Sequence, residues 1–171
     1  NTLFDQNASL EGVAKWYGYL DKPERVPEFM RRAFTMLRSG RPGPVVLGIP
    51  DASATYDETV DQYKSPKGWR SLPDPEDIKI ALDELKSAKK PVLFVGEGVL
   101  YSNATQELKS FAEKANLPVV TTLKAKSVFP EDHPLSVGVR GDHVLHYMNE
   151  ADLVFSVGAS ISPGRFGHGI P

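Results

Sequence analysis

The feature that most constrains this fold is a pair of short, unbroken apolar runs that end in glycine or proline turns. One is Pro44-Val45-Val46-Leu47-Gly48-Ile49-Pro50; the other is Pro91-Val92-Leu93-Phe94-Val95-Gly96-Glu97-Gly98. Neither alternates in and out as a strand with one wet face does. Both therefore read as strands covered on both faces. Each follows a stretch of helical period, which is the rhythm of a parallel α/β sheet. In such sheets ligands bind where the strands end. The turns after the strands are where a site is expected.

The flanking segments agree with that reading. Residues 13–20 predict an aromatic strand interrupted by Gly18. Asp21 and Pro23 open a helix with Glu24 in its first turn, where negative charge suits the helix dipole. Val26, Phe29, Met30, Ala33, Phe34 and Leu37 share one face of it. Arg31, Arg32 and Arg38 lie on the other face or near the end, and Gly40 suits a left-handed C-terminal cap. Residues 51–72 carry no apolar period. They read as a linker, because a structureless stretch of ~20 residues is long for a loop inside a compact domain.

A second unit opens with Asp74 as N-cap and Pro75 at the first helical position. Ile78, Ala81, Leu82 and Leu85 form its buried stripe. After the strand at 91–95, Asn103-Ala104-Thr105-Gln106 resembles a capping box in which Gln106 reaches back to the cap. Leu108, Phe111, Ala112 and Ala115 continue that helix's inner face. Residues 117–121 form the next strand, and 124–132 are irregular or a short helix. Residues 142–149 form a short helix with Leu145 and Met148 inward, and 153–157 form a third strand.

Composition excludes several classes. The 171 residues are 40% apolar and 25% charged, with 20 basic against 22 acidic groups and a net charge of -2. Nothing there attracts nucleic acid or anionic lipid. The absence of cysteine excludes disulfides and thiol chemistry and fits a reducing cytoplasm. No apolar run approaches the ~20 residues of a membrane span. No basic-then-apolar leader is present, so a cytoplasmic location is the expectation.

Three strand ends of the second unit carry small or hydroxyl residues: Gly96-Glu97-Gly98, Thr121-Thr122 and Gly158-Ala159-Ser160. Gly138-Val139-Arg140-Gly141-Asp142 precedes a helix start. Together they could hold a nucleotide diphosphate, because small residues let a ligand reach the backbone. Alternatively the glycines only turn the chain, since G-E-G is not the full G-x-G-x-x-G fingerprint. His143 and His146 stand three apart on a helix, but no third metal ligand is evident, and solvent or core packing is favoured over a metal. Lys15-Trp16-Tyr17 suits either an active-site wall or an edge strand. Composition and spacing stop at an α/β protein with a candidate nucleotide site.

Longer stretches resemble the thiamine-diphosphate (ThDP) enzymes of the acetolactate synthase type. The run from Gly40 to Pro50, with the Val13-Ala14-Lys15-Trp16 strand, Pro23 and the Arg31-Arg32-Ala33-Phe34 helix, is similar to the end of that family's pyrimidine-binding domain. Ala88-Lys89-Lys90-Pro91 through Gly98-Val99 resembles the start of its central domain. The segment 117–134, with Thr121-Thr122-Leu123-Lys124 and Phe129-Pro130-Glu131-Asp132-His133-Pro134, resembles the most recognisable central stretch. Ala151-Asp152-Leu153-Val154-Phe155-Ser156-Val157-Gly158-Ala159 resembles the next strand.

The resemblance implies a piece of a longer enzyme with three α/β domains. Residues 1–50 would be the tail of the pyrimidine-binding domain, 51–73 an interdomain linker, and 74–171 an incomplete central domain with a Rossmann-like, deoxyhypusine-synthase-like parallel sheet. The chemistry implied is attack of a thiamine ylid on a 2-oxo acid, then decarboxylation and transfer of a two-carbon unit. Thiamine diphosphate and Mg2+ would serve the parent protein. The G-D-G…N motif that binds them and the activating glutamate are absent from this chain. No catalytic residue or metal ligand is expected here, and the chain alone is expected to be inactive. The parent would be a homodimer or homotetramer with active sites between subunits.

Lys15 falls where acetolactate synthases have a lysine lining the substrate entrance. Phe4-Asp5-Gln6 stands in place of a Phe-Gln-Glu motif. The central domain holds FAD in acetolactate synthases, pyruvate oxidases and glyoxylate carboligase, ADP in oxalyl-CoA decarboxylase, and nothing in several decarboxylases. The matching positions are Gly96, Glu97, Gly98, Thr122, Leu123, Lys124, Gly141, Asp142, Gly158, Ala159 and Ser160. Two departures favour an empty or differently filled pocket over FAD. A Gly-Met-His-Gly segment has become Gly138-Val139-Arg140-Gly141, and an Arg-Phe-Asp-Asp-Arg stretch has become Ser160-Ile161-Ser162-Pro163-Gly164-Arg165. The alternative function is a non-catalytic nucleotide-binding or structural α/β module.

Overall fold

A computed structural model describes residues 5–50, 57, 59 and 62–161. The chain divides into two compact units, Asn1–Leu72 and Pro73–Pro171. Both are built on parallel strands, the α/β architecture expected from the sequence. Among the described residues no helix is long and apolar enough to cross a membrane.

The first unit is a β-α-β element. Strand β1 (Trp16–Tyr19) pairs in parallel with β2 (Val45–Gly48), in register from Trp16 opposite Val45 to Tyr19 opposite Gly48. A one-turn helix, α1 (Gln6–Leu10), precedes them and was not foreseen. The Asp5 carboxylate accepts from the Ala8 N–H at its start. A 3-10 turn at Pro23–Arg25 leads into α2 (Val26–Arg38), which buries Pro27 and Ala33. The strands are shorter than the apolar runs suggested, and β2 is half-buried along its length rather than fully covered. Among the described residues α2 is the helix that packs on this pair, so the apolar run exceeds what one helix can cover.

Gly18 is required inside β1 because the Trp16 ring folds over it. A Cβ at Gly18 would lie 2.8 Å from Trp16 Cζ2 and 3.0 Å from Phe29 Cδ1. Trp16 in turn stacks on Phe29 at 6.1 Å and lies under the Arg32 guanidinium. Helix α2 stops as expected: Gly40 takes φ +61°, a conformation that glycine adopts without a Cβ penalty. Residues 63–68 lie against this helix. Arg38 Nη1 donates to Ser65 Oγ and to the Pro66 carbonyl, and Tyr63 packs on Phe34.

The second unit is a four-stranded parallel sheet in the order β5-β4-β3-β6. Its strands are β3 (Pro91–Val95), β4 (Val119–Thr121), β5 (Ser136–Gly138) and β6 (Leu153–Val157). Helix α3 (Pro75–Ser87) leads into β3, with Asp74 accepting from the Glu76 N–H as its cap. A single turn, α4 (Gly98–Tyr101), and α5 (Thr105–Ala115) connect β3 to β4. Helix α6 (Asp142–Glu150) carries the chain from β5 back to β6.

Both faces of this sheet are covered. Leu93 and Val95 of β3 face a layer with Val99, Leu108, Ala112, Leu117, Val119 and Phe129. Val92 faces the opposite layer, with Val120, Val137, Val144 and Met148. This two-sided burial explains why β3 reads as a continuous apolar run.

Several local expectations are corrected. Asn103 takes φ +54° and Ala104 becomes the N-cap of α5, with no side-chain cap hydrogen bond, so the expected box does not form. The preceding turn α4 takes up Asn103, whose N–H donates to the Leu100 carbonyl. On α6 the buried pair is Val144 and Met148, and Leu145 is 39% exposed. Positions four apart cover the sheet better than the expected pair three apart. Ile78 of α3 is 43% exposed, and Ala115 of α5 lies outside the core. Strand β5, only three residues long, carries no periodic signal in the sequence.

Candidate functional site

Where the chain reverses direction in the sheet is a consequence of the strand order. From β3 the chain steps outward to β4 and β5, then α6 returns it to β6 on the other side of β3. The crevice outside the ends of β3 and β6 is therefore the topological switch point, where open α/β sheets bind ligands. Gly96, Glu97 and Gly98 follow β3, and Gly158, Ala159 and Ser160 follow β6.

These two turns are pressed together. The Gly96 N–H donates to the Val157 carbonyl at 2.9 Å, and the Gly98 N–H donates to the Gly158 carbonyl at 3.0 Å. A Cβ on Gly96 would overlap the Gly158 carbonyl oxygen and the Ala159 Cα. Gly158 takes φ +61°, and a Cβ there would lie 2.8 Å from the Val99 nitrogen. The glycines permit the approach of chain to chain. Sequence reasoning left that space open to either a ligand or a turn of the chain.

The remaining candidates divide between β4 and β5. The Thr122 N–H donates to the Val95 carbonyl at 2.8 Å, which ties the end of β4 to β3. The 3-10 turn Leu123–Ala125 follows. Lys124 Nζ lies 3.5 Å from Glu97 Oε2, so one ion pair bridges the ends of β3 and β4. Gly141 and Asp142 begin α6 after β5, a strand that β4 separates from β3. Gly141 has φ +117° with His143 folded over it, so a Cβ would lie 2.9 Å from His143 Cε1. Phe4 and residues 162–165 lie outside the described residues.

A hollow of about 920 Å³ opens on the β5 side, lined among others by Leu123, Lys126, Gly138, Arg140, His143 and Tyr147. Of the positions that family resemblance assigns to a nucleotide, Leu123 lines it; Gly96, Gly98 and Gly158 do not. His146 lies edge-on to Tyr147 at 6.0 Å. Among the described residues there is no group of three or more His, Cys, Asp or Glu that could hold a metal ion.

Lys15 has a definite geometry. Its ammonium donates to the carbonyls of Met36 (2.7 Å), Ser39 (2.5 Å) and Arg41 (2.9 Å), the last turn of α2 and the loop beyond. Its backbone N–H donates to the Pro44 carbonyl. Three ammonium protons thus meet three carbonyls, those of Met36 in the last turn of α2, the cap Ser39 and Arg41 in the loop beyond.

The opposite end of the sheet is held by charge. The Asp152 carboxylate accepts from the backbone N–H groups of Lys89 (2.7 Å) and Lys90 (2.8 Å). Those bonds hold its carboxyl below the usual range. Lys90 Nζ also meets Glu150 at 2.9 Å, which lowers the Glu150 carboxyl and raises the Lys90 ammonium.

The Glu97–Lys124 pair was not foreseen. Its signal is two opposite charges in the turns after neighbouring strands, visible only once β3 and β4 are known to be adjacent.

Comparison with known proteins places this geometry. A family model described as "Thiamine pyrophosphate enzyme, central domain" matches residues 78–170. The chain is 36% identical over 168 residues to the acetolactate synthase large subunit of Corynebacterium glutamicum, covering 90% of this chain and 26% of that protein. It is 36% identical over 150 residues to the acetolactate synthase isozyme 1 large subunit of Escherichia coli K12, covering 84% of this chain and 26% of that protein. The crystal structure of benzoylformate decarboxylase from Polynucleobacter necessarius superimposes with a TM-score of 0.64 at 27% identity, covering 85% of this chain and 28% of that one. The chain thus spans about a quarter of the length of these relatives. On the match over residues 78–170 and the parallel sheet that those residues form, the chain belongs to the thiamine pyrophosphate enzyme family and carries its central domain.

Proposed function

We propose that this chain is part of a ThDP-dependent 2-oxo acid decarboxylase or carboligase of the acetolactate synthase type. Residues 1–50 would be the end of the pyrimidine-binding domain, 51–73 the linker, and 74–171 the central domain. The observation that carries the reading is collinearity: about 36% identity to acetolactate synthase large subunits runs through both units in order.

The described residues offer no carboxylate cluster for the magnesium of a metal–diphosphate complex. In the proposed enzyme, thiamine diphosphate would supply the carbanion that attacks a 2-oxo acid. This chain's own work is architectural. Lys15 fixes the end of α2, and the Asp152 and Glu150 contacts fix the base of β3 and β6. The enzyme would act in the cytoplasm as a dimer or tetramer.

The test is turnover of pyruvate and benzoylformate by the full-length protein with thiamine diphosphate and Mg2+. Consumption of a 2-oxo acid that needs both additions supports the reading. A full-length protein that consumes neither contradicts it.

A further inference from the structure

We propose that Glu97, held by Lys124, is a specificity-determining residue that excludes diphosphate groups from the crevice at the end of β3. The inference rests on the reading of residues 74–171 as the family's central domain, with a nucleotide-type crevice at its strand ends.

A turn that cradles a diphosphate needs backbone N–H groups free to point at it. Here four of them are engaged. The N–H groups of Gly96, Gly98 and Val99 donate to the carbonyls of Val157, Gly158 and Gly96, and that of Thr122 donates to Val95. The G-E-G turn leads into α4, a single turn of four residues. So short a helix brings little dipole to bear on an anion.

Charge acts in the same direction. The Glu97 carboxylate stands between the two glycines that form the turn, 28% exposed. Like charges repel, and more strongly in a partly desolvated crevice than in water. Lys124, the cation paired with it, lies 3.5 Å from Glu97 Oε2. A diphosphate arriving here meets a negative group and an ammonium already paired with a carboxylate. Replacing the carboxylate by an amide removes the repulsion and frees Lys124 to meet phosphate oxygens.

The experiment is calorimetric titration of ADP and adenosine into the full-length protein, as wild type, Glu97→Gln and Glu97→Gln with Lys124→Met. Glu97→Ser gives the same comparison should the glutamine variant fail to fold, and circular dichroism melts check each protein. The expected result is roughly tenfold or tighter ADP binding by Glu97→Gln than by wild type. The gain is expected to vanish in the double variant, with adenosine binding unchanged between wild type and Glu97→Gln. ADP affinities of wild type and Glu97→Gln within about twofold of each other would overturn the proposal and leave the nucleotide crevice standing. Binding of neither ligand by any variant would overturn both.

Discussion

Gly96 and Gly158 touch where β3 and β6 end. Gly96 is buried, and a Cβ on it would overlap the Gly158 carbonyl oxygen, which itself accepts from the Gly98 N–H. The contact joins strands that are neighbours in space and distant in sequence. It fixes the floor of the crevice at the switch point.

Gly96→Ala is therefore expected to destabilise the second unit. The methyl group meets backbone on its near side, and backbone can yield only by parting the two turns. Overpacking of this kind costs about 1–3 kcal/mol. Urea unfolding followed by circular dichroism reads the change. Gly40→Ala, at a glycine with open space around it, has only the left-handed backbone to contend with and is expected to cost about 1 kcal/mol.

Lys15 is expected to act as a cap. Lys15→Met removes all three bonds from the end of α2, and bonds from a charged donor contribute about 1.5–3 kcal/mol when shielded. Because Lys15 is exposed, a loss of about 1–2 kcal/mol is expected for the set. Both tryptophans, Trp16 and Trp69, lie in the first unit, so tryptophan fluorescence follows that unit alone. A stability unchanged by Lys15→Met would remove the capping role.

Asp152 gives a pH signature. Its carboxyl is held below the ordinary value by the Lys89 and Lys90 N–H groups, so the native state prefers the charged form. The stabilisation is fully present above the unfolded carboxyl's value, 3.8, and is lost as pH falls through the lower folded value. Asp152→Asn is expected to lower the melting temperature at neutral pH. The gap to wild type should narrow on acidification below about pH 4. A gap that stays constant down to pH 2 would show that the carboxylate charge contributes nothing.

Leu93 tests the two-layer core. It is fully buried at the centre of β3, and Leu93→Ala is expected to cost about 2–5 kcal/mol. Ile80→Ala on the exposed face of α3, 60% exposed, is expected to change stability by less than about 0.5 kcal/mol.

How much of this was legible in the sequence varied with scale. Strand β3 and helix α3 were readable because residues 91–95 are uniformly apolar and Asp74-Pro75 is a strong helix start. Strand β6 matched its expected span. Strand β5 was hidden because three residues, one of them glycine, show no period. The roll of α6, which buries Val144 and exposes Leu145, depends on which face the sheet presents. The candidate site was legible as a set of glycines at strand ends. Their mutual contact was not, because it depends on β6 returning beside β3. Likewise Lys15 stood out as a charge among aromatics, but its three carbonyl partners lie 21 to 26 residues away.

The most direct test is calorimetric titration of thiamine diphosphate with Mg2+, into the full-length protein and into the 171-residue chain. The expected result is saturable, magnesium-dependent binding by the full-length protein and none by the 171-residue chain. A full-length protein that does not bind thiamine diphosphate, or a 171-residue chain that binds it equally well, would contradict the proposed division of labour.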